Sequence, residues 1–234
     1  AKTGSKATAS RQAVAKKAIV NRMLVRLHVQ NLPETGAIYS VDVAIHQNQL
    51  RVTLDMSGEA LNRRGYRTWN GEAPLRETLA AALVDLSHWK PDMPLYDPCC
   101  GTGTLLVEAA MRATHRAPGL HRSFACEAFP FMSKTDMAAL RQEAEAAYLP
   151  ETAYDIGGSD IDADAIELCN RHIRQAGFEY RIPVEVDDLR RIALPQPGGV
   201  FLCNPPYGER LGDQETCRAL YRELGLLLKR HPTW

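Results

Sequence analysis

The spacing of apolar positions changes near residue 74. Before it, Val14, Ala18, Ile19 and Met23 recur at helical spacing, with Lys16, Lys17 and Arg22 on the other side, so a helix is predicted over 11–26 with Ser10 as its N-cap. Two alternating runs follow, one over 38–46 (Val41, Val43, Ile45) and one over 50–55, and predict a β-hairpin closed at Gln47-Asn48-Gln49. One helix and two strands cannot fill a core, so this part reads as the back half of a domain whose front half is missing. After residue 74 the pattern alternates between strand and helix. A helix is predicted over 75–86 with Pro74 at its first position, then a short buried strand ending at Asp97, then a helix from the glycine loop to about Arg116. Residues 119–133 are irregular, with Phe124, Phe129 and Phe131 as a base-binding lid or, better, a hydrophobic plug. Further helices are predicted over 134–148, 162–176 (closed by Gly177) and 214–229, and strands over 154–159, 182–186 and 199–203. Such alternation predicts a doubly wound parallel α/β sheet. The boundaries follow: a first domain over 1–68, a polar connector, and an α/β domain over 74–234.

Composition adds three constraints. No apolar run among the 234 residues approaches membrane-spanning length, and the Lys- and Ala-rich start has no signal-peptide core. The six cysteines form no C-x-x-C pair, which predicts reduced thiols in a cytoplasmic protein; Cys99-Cys100 lacks further ligands at metal spacing, so no metal is expected. The net charge of zero is uneven: through Arg67 there are eleven Lys and Arg against four acids, a net of +7 that the remainder balances. A basic segment joined to an acidic one suggests a polyanion-binding module beside a catalytic domain, with Lys16, Lys17, Arg63, Arg64 and Arg67 as candidate phosphate contacts or a solvated basic face.

In open parallel sheets ligands lie at the carboxyl ends of the strands. Here those ends carry Asp97 with Gly101 and Gly103, then Asp160 and Asp162, then Asp187 and Asp188, then Asn204-Pro205-Pro206-Tyr207. A dinucleotide fits poorly, because Leu106 stands where the third glycine of that fingerprint belongs and Asp160 comes too late for its ribose acid. A P-loop is excluded, since no Gly-Lys-Ser/Thr follows. A nucleoside without phosphates fits better. Asp160 can accept from ribose hydroxyls, and an acid after the third strand from an adenine amino group. Asp162 could touch the ribose or cap the helix it begins.

These motifs resemble those of class I S-adenosylmethionine methyltransferases, which have a Rossmann-like fold. Asp97-Pro98-Cys99-Cys100-Gly101-Thr102-Gly103-Thr104 resembles their first motif, Gly158-Ser159-Asp160-Ile161-Asp162 their second, and Asn204-Pro205-Pro206-Tyr207 their amino-group motif. The resemblance implies S-adenosylmethionine as cofactor, held by Asp97, Pro98, Cys99, Gly101, Gly103, Thr104, Asp160, Asp162, Asp188 and Asn204; Asp188 is preferred to Asp187 at the adenine. It also implies that Asn204 and Pro205 accept the N–H bonds of a conjugated NH₂, with Pro206 and Tyr207 beside them and Tyr207 stacking on the substrate. More narrowly, 12–21, 61–67, 73–83 and 116–122 resemble bacterial 23S ribosomal RNA guanine-N2 methyltransferases of the RlmL type, which carry an α+β THUMP domain. In them the helix of Glu77 and Thr78 closes over the methionine end. The implied substrate is a guanine in 23S ribosomal RNA, free or in a large-subunit assembly intermediate, with no membrane. Transfer RNA guanine N2, adenine N6 and a non-catalytic RNA-binding assembly factor are the alternatives. The first domain would be the C-terminal part of a THUMP domain. The C-terminal strands of the family sheet would be missing after Trp234, so a fragment of a longer protein is expected.

Overall fold

The computed structural model describes residues 4–33, 35–68, 75–194, 198–206 and 214–234. The chain divides into two units, Ala1–Glu59 with Ser123–Asp136, and Ala60–Arg122 with Met137–Trp234.

The first unit contains α1 (Gly4–Leu27), β1 (Val41–His46) and β2 (Gln49–Leu54). Ser10 lies inside α1, which begins at Gly4, so the helix starts earlier than the predicted cap. The two strands pair antiparallel from Val41 opposite Leu54 to His46 opposite Gln49. Their loop is the two residues Gln47 and Asn48, both at positive φ (47° and 61°), as a type I′ hairpin turn requires. Val14, Ile45, Leu50 and Val52 stay exposed, in keeping with the small core expected of this part. Residues 123–136 belong here through the Ala125 N–H on the Ser57 carbonyl (3.3 Å) and the Cys126 N–H on the Met56 carbonyl (3.1 Å). Phe129 is 1% exposed and stacks on Tyr39 with ring centroids 4.5 Å apart, which makes it a plug; Phe131 is exposed.

The second unit contains α2 (Glu77–Leu86), β3 (Leu95–Asp97), α3 (Thr104–Ala113), α4 (Met137–Ala146), β4 (Ile156–Asp160), α5 (Ala163–Gln175), β5 (Val184–Val186), β6 (Val200–Phe201) and α6 (Gln214–Arg230). Residues 60–68 pack with this unit and not with the first, for reasons of charge given below. The sheet order is β5-β4-β3-β6, parallel throughout. The chain steps from β3 to β4 to β5, then returns to the other side of β3 as β6. The strand order therefore reverses between β3 and β6, which is where open α/β sheets form their ligand crevice. The strands are short, three residues in β3 and β5 and two in β6, shorter than the apolar runs that predicted them.

Sequence explains most of the packing. In α3 every residue from Thr104 to Met111 is buried, and the helix ends early, at Ala113 instead of about Arg116. There Thr114 Oγ1 bonds back to the Ala110 carbonyl (2.8 Å) and His115 adopts φ +54°. Helix α5 starts on Asp162, whose side chain accepts from the Asp164 N–H, and stops at Gly177 (φ +78°). The Gly177 N–H reaches the Arg174 carbonyl and the Phe178 N–H the Ile173 carbonyl, a Schellman motif. Helix α2 begins at Glu77 with Arg76 as its cap residue; Pro74 lies outside the described residues. Leu95, Leu106, Val107, Ile156 and Phe178 form the centre of the core between sheet and helices.

Gly158 in β4 has no room for a side chain: a Cβ would stand 2.8 Å from the Asp97 carbonyl oxygen. Backbone cannot yield as a flexible side chain does, so Gly158→Ala is expected to destabilise the unit by about 1–3 kcal/mol. A lower urea midpoint at unchanged slope would show it, and an unchanged midpoint would contradict it.

Candidate active site

Asp97 ends the central strand β3 and is 1% exposed. One of its carboxylate oxygens accepts the Cys99 N–H (3.0 Å), which turns the chain into the glycine loop. The Cys100 N–H then bonds the Ser159 carbonyl (2.9 Å) and the Gly103 N–H the Cys100 carbonyl (2.8 Å). Both loop glycines have positive φ, +51° at Gly101 and +80° at Gly103. They serve opposite purposes. A Cβ at Gly103 would collide with Cys169 Sγ of α5, so the loop lies tight against that helix. A Cβ at Gly101 would meet nothing within 4 Å, so that side of the loop is open to a ligand.

Asp160, at the end of β4, spans the loop and the next helix. Its Oδ2 accepts the Gly101 N–H (2.8 Å) and its Oδ1 the Asp162 N–H (3.0 Å). The sequence reading assigned Asp160 to a ribose; in the structure it also holds the loop in shape. Asp162 caps α5 through its Oδ1 on the Asp164 N–H (2.9 Å). The Asp187 N–H bonds the Asp160 carbonyl (3.0 Å), which brings the end of β5 alongside. Asp188 is held by Arg190, whose Nε donates to both carboxylate oxygens at 2.9 Å. On the other side of β3, the Leu202 N–H bonds the Tyr96 carbonyl (3.2 Å) and leads through Cys203 to Asn204, Pro205 and Pro206. Asn204 is exposed and Pro205 half-buried; Tyr207 lies outside the described residues. Topology thus lines up Asp188, Asp160, the glycine loop with Asp97, and Asn204 in the order of the strands.

The electrostatics favour a ligand that donates hydrogen bonds or carries positive charge. Burial raises the Asp97 carboxyl to about 8, and the nearby Asp160 charge adds to the rise. Asp188 is lowered to about 2 by its bonds from the Arg190 side chain and backbone. Burial pushes the Cys203 thiol up to about 12 and also raises the Cys99 thiol; Cys100 is raised first by its bond with Cys169 and then by burial. None of these thiols is poised as a nucleophile. A cavity of about 380 Å³ lies against Tyr96, Pro183, Leu194 and Trp234 and is lined by none of Asp97, Gly101, Asp160, Asp188 and Asn204.

The basic candidates divide. Lys16 and Lys17 are exposed on α1, and Arg63 is exposed. Arg64 and Arg67 turn inward, their side chains only 11% and 15% exposed. Arg64 pairs with Glu108 of α3, whose other oxygen takes the Tyr66 hydroxyl (2.8 Å). Burial raises Glu108 to about 7 although the Arg64 charge pulls it down. Arg67 lies 3.6 Å from Glu77 and donates to the Leu75 carbonyl (3.0 Å), and Asn62 Nδ2 also reaches Glu77 (3.3 Å). Glu77, read as a cofactor contact, is therefore occupied by Arg67 and Asn62, while Thr78 beside it is exposed. Sequence reasoning missed this network. Its signal was Glu108, a lone charge inside the apolar run of α3. Also missed was His172 of α5, fully buried, whose Nδ1 lies 3.0 Å from the Thr102 carbonyl and steadies the loop from behind.

Similarity to known proteins agrees with this geometry. The chain is 37% identical over 225 residues (95% of its length) to "Putative RNA methyltransferase YpsC" of Bacillus subtilis strain 168, 58% of which it covers. It is 44% identical, with a TM-score of 0.86, to a protein of Listeria monocytogenes solved as a "predicted N6-adenine-specific DNA methylase", and covers 95% of this chain and 59% of that one. It is 37% identical, with a TM-score of 0.85 and the same coverages, to SMU.472, whose structure is "complexed with SAH". The chain spans less than two thirds of the length of each of these relatives. Residues 64–233 match the family described as "RMKL-like, methyltransferase domain", and the chain belongs to that family of α/β methyltransferases.

Proposed function

We propose that the chain binds S-adenosylmethionine in the crevice at the ends of β5, β4, β3 and β6 and directs its methyl group to an exocyclic amino group of an RNA base. The observation that carries this reading is Asn204-Pro205-Pro206 emerging from β6, the neighbour of the strand that bears the glycine loop. The residues fit the donor. Gly101 leaves open space, Asp97 has one carboxylate oxygen without a hydrogen bond among the described residues, and the acids at the strand ends would repel phosphate. Asp160 and Asp162 would take ribose hydroxyls, Asp188 the adenine amino group, and the loop from Asp97 and Pro98 through Cys99 to Thr104 the methionine end. When bound, the donor supplies a methyl on a sulfonium, an already activated leaving group. This chain's part is then positioning and charge: the Asn204 side-chain oxygen and the Pro205 carbonyl accept both N–H bonds of the target, so its lone pair points at the methyl. Tyr207 would stack on the base.

The substrate we favour is a guanine N2 of 23S ribosomal RNA, met by a basic THUMP-like first unit that includes Lys16 and Lys17 in a cytoplasmic protein. YpsC, described as an RNA methyltransferase, supports RNA. The Listeria relative's description favours adenine N6 as a second reading. Nucleoside mass spectrometry of ribosomal RNA from a deletion strain separates them: loss of N2-methylguanosine is expected, and loss of N6-methyladenosine alone would transfer the assignment. Asn204→Ala in the full-length protein should lower turnover by about 10²-fold or more and leave affinity for S-adenosylhomocysteine within about twofold. Loss of that affinity would refute the role given to Asn204.

Asp97 makes donor binding depend on pH. Its folded value of about 8 lies above the ordinary 3.8, so its contribution to the stability of the ligand-free protein is complete below 3.8 and is lost as pH rises to about 8. A bound cation favours the carboxylate, so binding releases a proton below that value. Affinity for S-adenosylmethionine should rise with pH between 6 and 8, by at most about tenfold per unit, then level off. Calorimetry in buffers of different ionisation enthalpy checks this, with proton release in the parent and almost none in Asp97→Asn.

A further inference from the structure

Residues 62–67 form a strap that ties the start of α2 to α3 through two buried carboxylates. Glu77 and Glu108 are 4% and 2% exposed, and each would be costly to bury without a partner. Helices α2 and α3 run side by side in the same direction. Asp85 near the end of α2 pairs with Arg112 near the end of α3, and Glu77 at the start of α2 lies close enough to Glu108 to repel it. Arg64 and Arg67 stand on these two acids and cancel that repulsion. Arg67 also holds the Leu75 carbonyl, so it grips the chain on both sides of Arg76, the residue that caps α2. Helix α3 starts at Thr104, directly after the glycine loop, and Glu108 sits one turn further on.

We infer that Arg64 and Arg67 are positioning residues of the methyl-donor seat, holding the first turn of α2 at a fixed place against α3, the helix that begins at the glycine loop, and that they are not RNA phosphate contacts. This rests on the donor reading above. Each guanidinium is already committed to a carboxylate inside the α/β unit, and a phosphate could take it only by leaving that carboxylate buried without its cation. The strap continues past Arg64: Gln175 at the end of α5 donates to the Gly65 carbonyl (2.9 Å) and accepts from Thr68 Oγ1 (2.9 Å). The same short run therefore ties α2 to the two helices, α3 and α5, that meet the loop.

The test uses the full-length protein, S-adenosylhomocysteine and purified ribosomal RNA as probes. Arg67→Ala should weaken S-adenosylhomocysteine binding by about tenfold and raise KM for the donor by a similar factor with kcat within about twofold. RNA affinity should stay within about twofold, and the slope of its salt dependence should not change. Arg67→Lys, which can still reach Glu77, should recover most of the donor affinity, whereas a phosphate-contact role predicts recovery of RNA binding instead. Tyr66→Phe, a milder change that removes one bond to Glu108, should weaken S-adenosylhomocysteine by about two- to fivefold and supplies the readout if Arg67→Ala does not fold. Unchanged donor affinity in the folded variants would overturn the inference. So would a fall in RNA affinity with the salt slope reduced by about one while donor binding holds. A parent protein that fails to bind S-adenosylhomocysteine would overturn the donor reading itself, and this role with it.

Discussion

The site depends on a loop that has no room to be anything else. Gly103 lies against Cys169 and Gly158 against the Asp97 carbonyl, so the turn after β3 and the neighbouring strand meet backbone to backbone. The Asp160 carboxylate then joins the loop to the start of α5 by taking one N–H from each. Such packing shapes a cradle without filling it, because its open side is the missing side chain of Gly101. The reversal of strand order between β3 and β6 then sets Asn204 beside that cradle and leaves the acids of β4 and β5 across it.

Charge is handled differently behind the loop and in front of it. Behind, Glu77 and Glu108 are buried and matched by Arg67 and Arg64, so the helices are locked to the strap. In front, Asp97 is buried with no cation near it among the described residues, and its raised pKa records that imbalance. A cationic ligand would correct it, which links the chemistry of the loop to the kind of guest it takes. Buried Glu77 and Glu108, matched by arginines, read as scaffold, and Asp97, with no cation beside it among the described residues, as part of the candidate site.

Much of this was legible in the residues. Alternation after residue 74 gave the parallel sheet, Gly177 the end of α5, and Asp162 its cap. The strand ends were legible as well, because a two-residue period and a loop signal are local properties of the chain. What could not be read was pairing across distance. Arg64 and Arg67 look like solvated basic residues in the sequence, and only the fold brings them to Glu108 and Glu77. The same holds for residues 60–68 and 123–136, each of which packs with the unit other than the one its place in the chain suggested. Strand lengths were overestimated because an apolar run shows what can be buried, while pairing ends where the neighbouring strand ends.

The most direct test of the donor seat is a crystal structure of this protein with S-adenosylhomocysteine. The predicted result is the adenosine between Asp160 and Asp188, with the sulfur near the glycine loop and facing Asn204. Density for the ligand in the cavity beside Tyr96 and Trp234, or a glycine-loop crevice left vacant at saturating ligand, would contradict it.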